Sequence, residues 1–260
     1  MNLTRSLVSK FLIAIGFAAT VVVNFLATTG KINGINTAAV SDANPTLFTP
    51  KGYTFAIWGI IYLLLFVYVL VQLISKDLGR DERLSKIAFW FIVSSAANVG
   101  WIFAWQYSQF LVSALVMLIL LFSLTRILTL VAGTERTYTS FFSLELPFGL
   151  YAGWITVATI ANIAVLLLHL GWDGFGVPWF IWLTIVLLVA VIIALTATRD
   201  TRNVAYPAAI LWGLLGILTR YLPDFRFDIG SETMWIVIAL VLSMLAIAIR
   251  WVDVIIRRLR

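Results

Sequence analysis

The chain has 260 residues, of which 62% are hydrophobic and only 12% charged. A soluble domain is about 45–50% apolar and about 25% charged, so this composition belongs to a membrane protein. With no cysteine and one histidine, disulfides, thiolate metal sites and thioether-linked haem are excluded, and an all-protein transition-metal site has too few ligands.

Eight apolar runs are predicted as helices, near 8–29, 53–75, 87–106, 110–131, 141–168, 178–197, 204–221 and 233–255. Each is long enough to cross a hydrocarbon core about 30 Å thick. Strand alternation is absent, which excludes a β-barrel. The predicted fold is therefore all-α, a polytopic membrane helical bundle of about eight transmembrane helices. The first run is too long for a signal-peptide core and lacks a convincing cleavage site, so it reads as a retained helix.

After it comes the longest connection, "GKINGINTAAVSDANPTLFTPKG" from Gly30 to Gly52. Its Asn, Asp, Gly and Pro content favours turns over a helix. Long ordered loops are often lids or binding elements, and Pro50 and Gly52 bring this one onto the start of the second helix. It is expected to fold back over the outer mouth of the bundle. Between the second and third helices, "KDLGRDERLSK" reads as a solvated cytoplasmic loop.

The net charge of +6 has a one-sided placement. Of the 18 lysines and arginines, only Lys31, Lys51, Arg220 and Arg226 fall on the segments opposite the N-terminus. The rest, from Arg5 and Lys10 to Arg258 and Arg260, fall on its own side. That is the positive-inside asymmetry. It implies an even number of spans with both termini cytoplasmic, as in an integral protein of a bacterial inner (plasma) membrane. The basic surplus then serves topology, and nucleic acid is not expected as a partner.

Three helices carry a decorated face. In the second, Phe55, Trp58, Tyr62 and Phe66 recur at spacings of 3, 4 and 4 and so share one side. In the third, Trp90, Ser94, Asn98, Trp101 and Trp105 do the same. In the fifth, Pro147, Tyr151, Trp154, Ala158 and Asn162 form the stripe. Close helix packing is the plain explanation for small and amide residues, and tryptophans at span ends such as Trp90 and Trp172 fit the interfacial belt. Trp58, Trp101 and Trp154 lie well inside their spans, where the belt does not apply. Three such stripes facing one another would line an aromatic cavity with a few hydrogen-bonding amides, the make-up of a small-molecule site.

The motifs resemble a known family. "PKGYTFAIWGIIY" is similar to the signature of the TspO/MBR (translocator protein, tryptophan-rich sensory protein) family: Pro-x-Gly-aromatic-x-Phe, then Trp, then Tyr four residues on. "NVGW" reproduces the family's Asn with Trp three residues later, "SALVMLILL" its Ala-Leu pair, and "WITVATIAN" its Trp-x3-Ala-Thr-x2-Asn. Lys51 stands where the family has a second proline, Tyr53 where it has Trp, and Pro147 lies about one turn early. The agreement runs over roughly residues 8–168, the family's five-helix unit, and residues 171–260 read as an additional three-helix transmembrane segment beyond a unit of residues 1–170.

The resemblance implies a five-helix bundle with a pocket beneath the first loop, in which family members bind porphyrin or haem and sterol-like molecules. By position, Tyr53, Phe55, Trp58, Tyr62, Asn98, Trp101, Trp105, Trp154, Ala158 and Asn162 are the expected ligand-binding residues. Rings would stack on a flat ligand, the two asparagines would meet its polar edges, and Ala158 would leave room. The leading expectation is a membrane receptor or sensor for a tetrapyrrole, possible transport included. The tetrapyrrole is a ligand rather than a required cofactor. A small-solute transporter, using Asn24, Gln72, Asn98 and Asn162 as a polar path, and a non-catalytic structural subunit stay open. The expected partners are the bilayer and a hydrophobic small molecule, with a homodimer allowed.

No nucleotide-binding loop, nucleophile elbow or His-Glu metal motif occurs, and the five lysines lie at or near helix ends, which excludes a retinal Schiff base; no enzyme is expected. Glu145 reads as an acid at a helix N-terminus, with a proton-coupling carboxylate as the sharper alternative. His169 reads as a solvated interfacial residue rather than a haem ligand, and Arg220 as a snorkelling one.

Overall fold

The computed structural model describes residues 3–76, 78 and 80–259. Asp77 and Gly79 of the charged loop and Arg260 lie outside the described residues, as does the Arg5 side chain. The chain forms α1 (Leu3–Thr28), α2 (Thr37–Ala43), α3 (Ile57–Ile74), α4 (Glu82–Gln106) and α5 (Phe110–Val131). It continues with α6 (Tyr138–Ser140), α7 (Leu146–His169), α8 (Trp179–Thr201), α9 (Ala205–Tyr221) and α10 (Glu232–Leu259). Eight of the described helices are long and apolar enough to cross a membrane, counting α6 and α7 as one span over Tyr138–His169. In lipid, a helix is favoured because it satisfies every backbone polar group within its own segment.

Helix ends follow local chemistry. Asp81 caps α4 by accepting from the backbone N–H groups of Arg83 and Leu84. The fifth span holds a π-helical turn at Phe141–Glu145, immediately before Pro147 at the start of α7. A proline ring collides with the carbonyl one turn back, and a widened turn relieves that collision.

The first five spans close into a ring. α1 packs on α4, α4 on α5, α5 on α7, α7 on α3, and α3 on α1. α9 lies against the outside of α7, and α10 packs on both α9 and α8. The α7–α9 contact is close because glycines make it. A Cβ on Gly153 would collide with the Tyr206 carbonyl, and one on Gly149 with the Asn203 side chain. Outward-facing residues such as Leu63, Leu115, Leu188 and Leu242 are exposed, an apolar coat suited to lipid.

Spans alternate in direction, so the bundle has two faces. The lid face carries residues 29–56, 107–109, 170–178 and 222–231. The basic face carries the start of α1 and the end of α10 with residues 75–76, 78, 80–81, 132–137 and 202–204. The 30–52 connection contains a helix where turns alone are expected. Asn36 caps α2 by accepting from the Ala39 N–H, which makes a helical turn of "TAAVSDA" despite its polar setting. Gly30, Asn33 and Gly34, all at positive φ, turn the chain back across the bundle before that helix begins.

Candidate functional site

The three decorated stripes meet near the lid face. Trp58 of α3 stacks on Tyr62 at 5.4 Å between ring centroids. It also meets Trp101 of α4 at 6.4 Å, and Tyr151 and Trp154 of α7 at 5.7 and 6.3 Å. Trp101 stacks on Trp105 at 6.2 Å, and Phe55 stands edge-on to Trp154 at 5.7 Å. Edge-to-face and offset pairs of this kind add about 0.5–1.5 kcal/mol each beyond the area they bury.

Above this cluster lies a cavity of about 40 Å³. Its walls are Phe55, Trp101, Trp105, Trp154, Ala158 and Asn162, with Val157, Ala161 and Val165 of α7 between them. Ser41, Thr49 and Pro50 of the connection close it from above, so that segment covers the aromatic cluster. The volume is close to one water, about 30 Å³ in the liquid, and far below the roughly 300–1,000 Å³ of ligand pockets.

Six of the ten expected residues therefore line the cavity. Trp58 and Tyr62 form its floor cluster without lining it. Asn98 is fully buried and committed: its carbonyl accepts from the Asn24 side-chain N–H at 2.6 Å, and its own amide donates to the Tyr151 hydroxyl at 2.9 Å. Asn24 thus ties α1 to α4. Tyr53 is 45% exposed and turns outward, its hydroxyl 3.0 Å from that of Thr219 and its ring against Trp212 of α9. Phe66, at the end of the stripe, is exposed and meets Phe17 of α1.

The polar atoms of the walls divide sharply. Trp105 donates its indole N–H to the Thr37 carbonyl at 3.2 Å, and the Asn162 amide donates to Ser113 at 2.8 Å. The indole nitrogens of Trp101 and Trp154 and the amide oxygen of Asn162 are buried and have no protein partner. Two donors and one acceptor of the lining residues are thereby left without a protein partner.

The lid is held by the C-terminal part of the chain, which the stripes did not signal. Lys51 donates its backbone N–H to the Gly216 carbonyl at 3.0 Å. Trp212 donates its indole N–H to the Thr54 carbonyl at 2.9 Å, and the Tyr221 hydroxyl donates to the Leu47 carbonyl at 2.8 Å. Arg220 pairs with Asp42 at 3.3 Å, a latch to the lid in place of the expected snorkelling. On α4, Gln106 donates to both the Ala27 carbonyl and the Thr37 hydroxyl at 3.3 Å.

Glu145 is also placed differently from the expectation. The helix begins at Tyr138, so Glu145 sits two turns inside and away from the N-terminal dipole. Its carboxylate meets Arg258 at 2.6 Å and Arg136 at 3.7 Å. His169 is exposed, its ring 5.2 Å from that of Phe110.

A family model described as TSPO-like protein matches residues 10–252, from α1 to the last turns of α10. No curated protein and no solved structure matches the chain.

Proposed function

The chain belongs to the TSPO-like family, and from that premise we propose that it is a membrane receptor that takes a flat hydrophobic ligand into the aromatic cavity beneath the lid. The observation that carries this reading is the set of unpartnered buried groups on residues that line the cavity: the indole N–H of Trp101 and of Trp154, and the amide oxygen of Asn162. A buried polar group without a partner costs about 1–3 kcal/mol. A ligand with both accepting and donating edges relieves three of them at once while its faces stack on rings. A tetrapyrrole, the class that the family resemblance implies, has such edges in its carboxylates and pyrrole nitrogens.

Sensing is favoured over transport by what lies beneath. Tyr68, Phe91 and Phe148 are fully buried and pack edge-on at 4.9–6.0 Å. They sit some six to ten residues below Trp58, Trp101 and Trp154 along α3, α4 and α7. This aromatic plug separates the cavity from the basic face, and a carrier would have to part it. The charge asymmetry supports cytoplasmic termini and a ligand arriving from the opposite side.

The test is titration of the protein in nanodiscs with protoporphyrin IX, followed by tryptophan quenching and by porphyrin absorbance. Trp154→Phe and Trp101→Phe keep a ring and remove the donor, so each is expected to weaken binding about 3- to 10-fold. Unaltered affinity in both variants and in Asn162→Ala would remove the cavity from consideration.

A further inference from the structure

Four elements bring charge to one spot on the basic face, far from the cavity. Glu145 comes from the π turn, with its side chain only 6% exposed. Arg136 comes from the loop before α6, Arg202 from the end of α8, and Arg258 from the last turn of α10. One carboxylate oxygen faces Arg258 and the other faces Arg136. Arg258 also donates to the Arg202 carbonyl. Among the described residues, no second carboxylate lies within ion-pair distance of these three arginines. Two guanidinium groups thus share one acid, and the charge of the exposed Arg202 side chain is felt at Arg136, which leaves a local surplus of positive charge.

Arginines at helix ends ordinarily serve topology from full solvation. This set is different in two respects. The Arg258 side chain is 17% exposed, and its Nε is buried without a protein partner. Arg202 adopts the left-handed conformation at φ 51°, a backbone state disfavoured for residues with a Cβ. Burial, together with the like charges of Arg258 and Arg202, pushes the Arg136 guanidinium below its ordinary pKa. Clustered guanidinium groups, of which Arg258 is partly desolvated with an unpartnered Nε, suit an oxyanion, which accepts forked hydrogen bonds and neutralises the surplus.

We propose that Arg136 and Arg258, paired with Glu145, together with the neighbouring Arg202, form a binding site for a phosphate-bearing anion at the basic face. Its position at the ends of α8 and α10 places the phosphate at headgroup depth. An anionic phospholipid and a soluble phosphate share this chemistry, and the experiment separates them.

The full chain is reconstituted into phosphatidylcholine vesicles with and without phosphatidylglycerol, extracted, and its retained lipid counted by native mass spectrometry. In a second arm, inorganic phosphate is titrated into the protein in phosphatidylcholine nanodiscs while thermal unfolding is followed. Wild type is expected to retain phosphatidylglycerol, to unfold at higher temperature with phosphate, or both. The Arg136→Gln/Arg202→Gln variant is expected to bind about 30-fold more weakly, from about fivefold per basic residue. An Arg126→Gln/Arg199→Gln variant removes exposed arginines from the same face and is expected to bind as wild type. Lipid retention alone identifies a headgroup site, and phosphate stabilisation alone identifies a soluble ligand. Binding of neither, or an equal loss in both variant pairs, overturns the proposal. Should the glutamine variant fail to fold, Arg136→Lys/Arg202→Lys keeps the charge while losing the fork. It is expected to bind several-fold more weakly, and wild-type affinity there overturns the site as drawn.

Discussion

Replacing Gly216 by alanine tests how the lid is held. A Cβ at this position would overlap the Thr54 Cγ2 and stand 3.2 Å from both the Thr54 and Pro50 Cβ atoms. Thr54 has no easy way to yield. It is fully buried, its β-branched side chain is stiff, and its hydroxyl donates to the Lys51 carbonyl at 2.5 Å. The backbone from Pro50 to Thr54 must therefore move, at a cost of about 1–3 kcal/mol for overpacking. Alanine is favoured over glycine in a helix by up to about 1 kcal/mol, but that gain acts on α9 and leaves the strain on the lid. Lid opening is expected to rise roughly 5- to 150-fold, at a factor of ten per 1.4 kcal/mol. Hydrogen exchange at the Lys51 amide, which bonds to the Gly216 carbonyl, reads this directly, with α4 and α5 unchanged. Gly59→Ala is the control, because its Cβ would meet nothing within 4 Å. Unchanged exchange at Lys51 in Gly216→Ala, or an equal rise in Gly59→Ala, would refute the reasoning.

Asn98→Leu removes both the Asn24 and Tyr151 bonds and is expected to lower stability by about 1–3 kcal/mol, from about 0.6–2 kcal/mol per interhelical bond; a double-mutant cycle with Asn24→Leu, followed by unfolding, should show the two losses to be non-additive. Glu145→Gln strands the buried Arg258 and is expected to cost about 3 kcal/mol, the low end for breaking a buried pair because the 41%-exposed Arg136 is screened by solvent; thermal unfolding indistinguishable from wild type would contradict it. Arg220→Ala breaks a partly exposed pair with Asp42 and a long hydrogen bond to the Pro50 carbonyl and is expected to cost less than about 1 kcal/mol, raising Lys51 exchange by no more than about fivefold, the lower bound of the Gly216→Ala effect. Replacing Lys31–Asn44 by a Gly/Ser connector removes α2 with Ser41, and porphyrin release is expected to quicken while the bundle stays folded, as judged by circular dichroism and stopped-flow fluorescence.

Much of this architecture is legible in the sequence because lipid imposes a single demand. Apolar length alone locates all eight spans, and helical spacing places Trp58, Trp101 and Trp154 each on the stripe of its own helix that the bundle then brings together. The departures have local physical causes. Whether a polar 23-residue connection is looped or helical depends on one cap, Asn36, whose effect composition averages away. Tyr53 lies one turn from the stripe in sequence, but the 3-10 turn at Gly52–Ala56 rotates it toward α9. The pairing of α7 with α9 left a signal that the aromatic pattern obscured, the Gly149-x-x-x-Gly153 spacing. The Glu145–Arg258 contact joins residues 113 positions apart, and no periodicity reaches that far.

The size of the cavity decides where the protein must yield. About 40 Å³ admits a water but no tetrapyrrole, so one wall has to move for the proposed ligand to enter. The helical walls are poor candidates. Trp58 is locked against four rings, Asn98 ties α1, α4 and α7 together, and Gly153 presses α7 onto α9 in contact with the Tyr206 carbonyl. Moving any of these breaks several buried contacts in lipid, where water offers no replacement bonds. The lid wall lies at an end of the bundle, where released backbone groups can turn to solvent. Its bonds from Lys51, Thr54 and Leu47 lead to α9, as does the exposed Asp42–Arg220 pair. The C-terminal helices therefore act on the cavity without lining it. α9 is anchored to the rigid ring through α7 and holds the movable wall from outside, while Trp105 and Gln106 of α4 hold it at Thr37, so entry of the proposed ligand depends on how firmly α9 and α4 grip the lid.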